Sequence, residues 1–481
     1  MSITSALSNA VSGLGAMSRA AETVSTNVSN ALTDGYGRRE ITLSSRTSGN
    51  MGGVQVTSER RIIDAGLVSD RRLAEADLSF SQTKSNFLNQ LERTIGVPGE
   101  PGSLSSRYAD FEASLLAASS QPDSDARLTD VLESASRLTD SINILNDDIQ
   151  IARMNADAAI KRDVDALNAA MQRVAELNST IKRHNATGLP TASLQDERQR
   201  QIDLISEIVP IKELQRDHGQ VALITTGGAQ LVDGVPAELT FPPTPTIAAG
   251  MTVEAGSLGR LTLNGREIDG MAGSLRGGRL AANFEIRDDL SVTAQQQVDA
   301  LARDLVERFQ DPAADASLSA GDAGLFTDGA SAFDPANESG LAERLSINPT
   351  VDPANGGELW RLRDGVGAIA PGPSGDGTQL LSFQEAFTSS RAPLPGLGNS
   401  SRSAAGFASD LLSGISTSRQ NLEADQSFAA TRANTLRDLE AANGVNTDDE
   451  MQKLLLIEQN YAANARVIQT IDELMDQIIR I

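Results

Sequence analysis

Ser81 with Lys84, and Ser179 with Lys182, have the S-x-x-K spacing in which a lysine amine one helical turn from a serine hydroxyl can take its proton and leave a nucleophile. Neither pair is accompanied by the S-D-N or K-T-G segments that complete such a site, and both fall inside long stretches of helical periodicity. They read as solvated helix positions. The chain has two histidines, His184 and His218, and no cysteine. Without thiolates or an H-E-x-x-H spacing, a zinc centre has no ligand set. Gly13-Leu14-Gly15 and Gly227-Gly228 could let backbone amides approach a phosphate, but no lysine and no strand–loop–helix context goes with them. Asp448-Asp449-Glu450 could surround a cation. The same three residues open an apolar-periodic stretch, where they complement the positive end of a helix dipole. No catalytic, cofactor-binding or metal-ligating residue emerges, and no cofactor is expected.

What the chain does carry is a pair of matching apolar stripes at its ends. The N-terminal stripe is Ile3, Leu7, Ala10, Leu14, Met17, Ala21, Val24, Val28 and Ala31. The C-terminal stripe is Leu454, Ile457, Tyr461, Asn464, Ile468, Ile471, Met475 and Ile478. Steps of three and four alternate in both, the a/d seam of a heptad pattern. Such a seam buries itself against the other end of the chain, against copies of itself, or both, since a helix can pack one partner inside and neighbours outside. Small residues at Gly13, Ala16, Ala20 and Ala21 leave room for close helix approach, and Asn464 is a polar seam residue able to fix register. Near the end of the first helix stand Asn27 and Asn30, three residues apart and on one face. They imply polar contact with a neighbour or a fraying end. Gly35, Tyr36, Gly37 and Arg38 then turn the chain.

These residues resemble a known signature. Leu7, Ala10, Gly13-Leu14, Ala16, Asn27-Val28-Ser29-Asn30, Thr33, Gly35-Tyr36 and Arg38 are similar to the N-terminal motif of the flagellar axial proteins, the rod, hook and hook-associated subunits. Gly444-Val445-Asn446, Asp449-Glu450, Gln459, Tyr461, Ala463, Arg466-Val467-Ile468 and Asp472-Glu473 resemble the C-terminal motif of the same proteins. Ser29, where alanine is common, and Asn464 depart from the pattern. Inside the chain, Leu194, Asp196, Arg198, Ile202 and Ser206, then Gly228 and Leu231-Val232-Asp233-Gly234, then Gly277-Gly278-Arg279-Leu280 and Arg287-Asp288, resemble the hook–filament junction subunits of that family. The likeness covers 1–310 and 403–481, and is loose around Gly324-Leu325-Phe326.

Composition agrees. The chain has 481 residues, a net charge of −23 and 3% aromatic residues. Phosphate backbones need a basic patch, so nucleic acid is not an expected partner. No apolar run approaches a membrane span, and no cleavable signal peptide is expected at the start. Low aromatic content with abundant alanine and serine suits long helices with thin cores.

Along the chain, 39–64 alternates as an extended arm or hairpin. Helices are expected over about 66–95, from 104 to near Pro122, over 125–187 without a proline or glycine, and over 193–208. Residues 210–280 read as a small antiparallel β unit containing Val221–Thr225, Met251–Val253 and Leu261–Leu263, the last before an Asn264-Gly265 turn. Helix returns at about 283–310 and 403–442. A capping box from Thr447 to Glu450 starts the last helix. Residues 311–402 fit a small mixed domain or a partly ordered insert.

The expected fold is mainly α with a small β portion. Its parts are a terminal coiled-coil unit (1–38 with 444–481), a helical middle (39–310 with 403–443, including the β unit 210–280), and the 311–402 insert. The resemblance implies a structural adaptor rather than an enzyme, joining flagellar hook to filament outside the cell. It implies copies in a helical or ring-like layer, with paired terminal helices as the inner tube. It further implies export unfolded through the flagellar type III apparatus, with an export chaperone on the C-terminal helix (448–481). The other partners implied are the hook protein, and a second hook-associated junction protein or flagellin. Alternatives are a distal rod or hook subunit, whose middle would be mostly β, another junction subunit of the flagellum, and a secreted coiled-coil binding protein outside the flagellum.

Overall fold

The structure, a computed structural model, describes residues 3–46 and 52–480. The chain runs through α1 (Ile3–Ser29), the hairpin strands β1 (Arg38–Ser45) and β2 (Val54–Ile62), then α2 (Ala65–Ile95), α3 (Leu104–Ser120), α4 (Asp125–Thr187) and α5 (Ala192–Ile208). Seven short strands follow: β3 (Ile211–Gln215), β4 (Val221–Thr225), β5 (Gln230–Asp233), β6 (Val235–Pro236), β7 (Leu239–Thr240), β8 (Leu261–Leu263) and β9 (Arg266–Ile268). Helix resumes in α6 (Gly278–Glu285), passes a π turn (Ile286–Leu290) and continues as α7 (Ser291–Phe309). Next come β10 (Phe326–Asp328), α8 (Leu341–Arg344), β11 (Leu345–Ile347), α9 (Arg361–Asp364) and α10 (Thr378–Thr388). The long α11 (Ala404–Ala442) and α12 (Thr447–Ile479) close the chain.

The spine is α4. Its 63 residues span about 95 Å at 1.5 Å each. Ser124 caps its first turn by accepting from the Arg127 amide, and Gly188, in the left-handed conformation, ends it. Along the buried face, steps of three and four place Leu128, Val131, Ala135, Leu138, Ile142, Leu145 and Ile149 in one hydrophobic cluster, and Ile160, Val164, Leu167, Met171 and Val174 in a second. Between the clusters the step is four three times running, Ala152 to Ala156 to Ile160 to Val164. There the interior is ionic. Arg153, fully buried, donates to the carbonyls of Arg287, Ala248 and Met251. Arg287 pairs with Asp157 and Asp288, both at 2.7 Å, and its guanidinium lies against the Phe241 and Phe284 rings. A charged layer thus divides two apolar cores along one helix.

The first core joins α2, α3, α7, α10 and α11 to α4. Phe111, Phe309, Phe326 and Phe387 form its centre, with ring centroids 5.1–6.3 Å apart. Residues 311–402 supply Phe326, Leu341, Leu362, Phe383 and Phe387 to this cluster and pack into the helical body. The second core lies under the β unit, where β3-β4-β5-β6 and β7-β8-β9 form two antiparallel meanders. Asn264 and Gly265, both at positive φ, make the β8–β9 turn expected from their types.

Met251–Val253 is not a strand. The carbonyls of Ala248 and Met251 are taken by Arg153, and the Met251 amide closes a turn on Ala248. An interior guanidinium here displaces the ladder partners a strand would need. The last helix also starts differently from expectation: Asn446, not Thr447, is the N-cap, accepting from the amides of Asp448 and Asp449. Glu450 is left free for another contact.

Candidate assembly surface

At the termini α1 lies along α12, and the hairpin β1–β2 folds back on α1, where Ser12 Oγ accepts from the Val54 amide at 3.1 Å. The helices fit closely at Gly13. A Cβ there would stand 2.8 Å from Asn464 Nδ2, so the asparagine fills the space that glycine leaves. The buried line on α1 runs through Ala10, Gly13, Ala16, Val24 and Asn27. It is turned about one residue from the expected seam. Val24 is buried, Ile3, Leu14, Met17, Ala21, Val28 and Ala31 are half-buried, and Leu7 is exposed. Small residues face the partner because they permit close backbone approach, and the bulky ones flank them. On α12, Ile471 is buried, and Leu454, Ile457, Asn464 and Ile468 are half-buried. Tyr461, Met475 and Ile478 are 48, 44 and 57% exposed. Val11, Met451, Leu455, Leu456, Val467 and Leu474 add further open apolar surface.

Asn27 is the hub behind this surface. Its Nδ2 donates to the Arg39 carbonyl and to Glu450 Oε2, both at 2.9 Å. Its Oδ1 accepts from the Tyr36 hydroxyl at 2.8 Å and from the Arg39 amide at 2.9 Å. The amide's full hydrogen-bonding capacity is used, which is what burial demands. Asn30, by contrast, bonds back to the Thr26 carbonyl of its own helix. Burial pushes the Tyr36 phenol up to about 12, with Arg39 opposing the shift. Gly35, at φ +74°, turns the chain so that its carbonyl accepts from Arg61. Arg38 opens β1, opposite Ile62.

A second polar layer ties this joint to the body. Asp196 on α5 accepts from the Gly37 amide, Arg39 Nη2 and Arg61 Nε at 3.0, 3.1 and 2.7 Å. Arg71 on α2 reaches Glu440 on α11, Glu75 and Asp203. Arg72 bridges Asp203 and Glu213. Burial alone would lower the Arg71 pKa, but Asp203, Glu75 and Glu440 together hold it above its ordinary value. Periodicity did not single out Glu450, Arg39, Arg61, Arg71 or Arg72. Glu450 was visible in the sequence only as part of the acidic cluster and capping box that open the last helix, and Arg61, Arg71 and Arg72 only through the density of charge at 59–61 and 70–72, which normally marks a solvated face.

The residues with catalytic spacing have local partners. Ser81 bonds the Asp77 carbonyl of its own helix and Lys84 pairs with Glu285. Ser179 accepts from Arg183, and His184 Nδ1 lies 3.0 Å from the Pro190 carbonyl oxygen. His218 sits in a turn at φ 59°. Among the described residues no three acidic or histidine side chains gather as metal ligands, and no helix is long and apolar enough to cross a membrane.

Two family models match. One, described as the flagellar hook-associated protein FlgK helical domain, covers residues 88–325. The other, the flagellar basal body rod FlgEFG protein C-terminal, covers 439–481. Flagellar hook-associated protein 1 of Escherichia coli is 24% identical over the whole of both chains. Its Bacillus subtilis counterpart is 22% identical over 98% of this chain and 97% of its own. The solved structure of the flagellar hook junction protein FlgK from Burkholderia pseudomallei aligns at a TM-score of 0.45 and 17% identity, over 54% of this chain and 47% of that one. Together, the helical-domain match, the rod-type C-terminus and the end-to-end relatives make this chain a member of the flagellar hook-associated protein 1 (FlgK) family, a structural protein of the bacterial flagellum.

Proposed function

We propose that this protein is the extracellular adaptor that joins hook to filament, and that it assembles through α1 and α12. The observation that carries this reading is the open apolar surface of the terminal pair. Leu455, Leu456, Met475, Ile478 and Ile479 on α12, with Val11 on α1, remain 44–78% exposed after the two helices have packed. Exposed apolar side chains at both ends of one long helix point to association. In the proposed arrangement, copies of the pair pack side by side in a helical or ring-like layer as an inner tube unit (1–38 with 444–481). The helical body lies outside it, with 311–402 on its outer side. The hook protein is the partner below, and a second hook-associated junction protein or flagellin the partner above. Export proceeds unfolded through the flagellar type III apparatus, with a chaperone covering α12 beforehand. The deciding experiment is isolation of hook–basal bodies from the source bacterium. The protein should copurify at the distal end of the hook, and deletion of its gene should leave hooks without filaments and free flagellin in the medium. Filaments of normal length on the deletion strain would refute the assignment.

A further inference from the structure

A cavity of about 230 Å³ lies where the end of the hairpin meets α2, α5 and β3. At about 30 Å³ per water it has room for roughly seven waters, or for a small solute with its first hydration shell. Three arginines line it: Arg61 from β2, Arg72 from α2 and Arg198 from α5. The acidic groups around it already have arginine partners, Arg61 and Arg72 among them. Asp196 takes Arg39 and Arg61, Asp203 takes Arg71 and Arg72, and Glu213, which also lines the cavity, takes Arg72 and Gln215. Arg198 alone of the three has no carboxylate. Its Nη1 donates to Asn178 Oδ1 at 2.9 Å and to the Gly219 carbonyl at 2.7 Å, both neutral acceptors. Its Nε and Nη2 have no acceptor among the described residues and open onto the cavity, in a residue only 7% exposed overall. Arg61 and Arg72 each keep one terminal nitrogen likewise unused.

A guanidinium this buried normally has a charged partner. Burial lowers the Arg198 pKa to about 10, Glu213 offsets part of that, and Arg61 and Arg72 add to it by repulsion. An anion placed among the three would relieve that strain. Guanidinium forks match the oxygen spacing of phosphate and carboxylate groups.

We propose that this cavity is a binding site for a small free oxyanion of the phosphate type, held by Arg198 with Arg61 and Arg72. The anion would bridge the hairpin, α2 and α5, the three elements that connect the terminal helices to the body.

The test is calorimetric titration of the full-length protein with inorganic phosphate at pH 7, against sodium chloride of equal ionic strength. Saturable binding of one phosphate per chain is expected, with a higher thermal midpoint in phosphate than in chloride. Arg198→Gln should weaken binding by about tenfold or more, the loss expected for one charge-assisted hydrogen-bonded contact. Arg198 also holds Asn178 and Gly219, so a second variant keeps the test decisive if the first does not fold. Ser69→Glu leaves all three arginines and sends a carboxylate in from a half-buried lining position. It should abolish the phosphate response and raise the midpoint in chloride. The proposal falls if the wild-type protein shows no saturable response up to roughly 10 mM phosphate, or if either folded variant binds phosphate as the wild type does. It also falls if the protein self-associates in chloride and phosphate disperses it in an Arg198-dependent way. The occupant would then be an acidic side chain of a second copy.

Discussion

Asn27 Nδ2 donates to Glu450 Oε2 at 2.9 Å, joining residues 423 positions apart in a contact almost wholly shielded from water. Glu450 also pairs with Lys453 on its own helix. The bond fixes the end of α1 against the start of α12, while Gly13 and Asn464 fix the pair farther along. One polar contact and one close steric fit at different heights define one register, because sliding either helix by a turn would leave the buried Asn27 amide without partners and move the Asn464 side chain off the gap at Gly13.

Replacing Asn27 with Ala should therefore cost more than an ordinary surface substitution. It leaves Glu450 Oε2, the Tyr36 hydroxyl and the Arg39 amide each short of a partner. A loss of about 2–4 kcal/mol in the terminal unit is expected. Hydrogen exchange of α1 and α12 in the full-length protein measures it, and an unchanged exchange pattern would contradict the hub role.

Ile468 and Ile471 face α1, and Gln469 and Asp472 are exposed. Replacing both isoleucines with Asp should block assembly, since the α1 face opposite them supplies no basic side chain and an unpaired buried charge costs several kcal/mol. Replacing Gln469 and Asp472 should not. Motility and shed flagellin are the readouts. Normal filaments on the double-aspartate strain would mean that this face does not drive assembly.

Deleting residues 454–481 should abolish incorporation between hook and filament and leave the body folded. The two hydrophobic cores are built without α12. Circular dichroism and the thermal midpoint should stay close to those of the intact chain. A collapse of the body's cooperative transition would show that the terminal pair supports it.

Tyr36 carries a pH dependence of definite sign. Its phenol, ordinarily near 10, is raised to about 12 in the folded protein, so the folded state holds the proton more tightly. The stabilisation is fully present below pH 10 and is lost as pH rises toward 12. Denaturant midpoints measured across pH 9–11.5 should fall more steeply for the wild type than for Tyr36→Phe. Parallel curves would remove Tyr36 from the linkage.

Phe111 is fully buried among Phe309, Phe326 and Phe387. Phe111→Ala should cost about 3–5 kcal/mol by loss of transfer energy and creation of a cavity. Because Phe326 and Phe387 come from the 311–402 segment, that segment should lose protection together with α3 and α7. Exchange data showing α3 and α7 loosened while 311–402 stays protected would mean that it folds apart from them.

The helices were legible from the sequence because their cause is local. Leu128 to Ile149 and Val164 to Ile181 repeat at helical spacing, no proline or glycine interrupts 125–187, and Asn264-Gly265 specifies a tight hairpin turn. The apolar stripes of both termini, and the family they point to, were equally readable. Tertiary structure decided what each polar residue is for. Asn27 and Asn30 have the same type and sit on one face, yet Asn27 meets Glu450 and β1 while Asn30 bonds its own helix. Arg153 could remove Met251–Val253 from strand pairing only once the chain had folded across that gap. The α1 seam turned toward Gly13 for the same reason: periodicity ranks side chains by hydrophobicity, whereas two helices in contact choose the face that lets their backbones approach. Hydrogen bonds between residues hundreds of positions apart leave no period in a sequence. They depend on which surfaces meet, and that is settled only when the whole chain has packed.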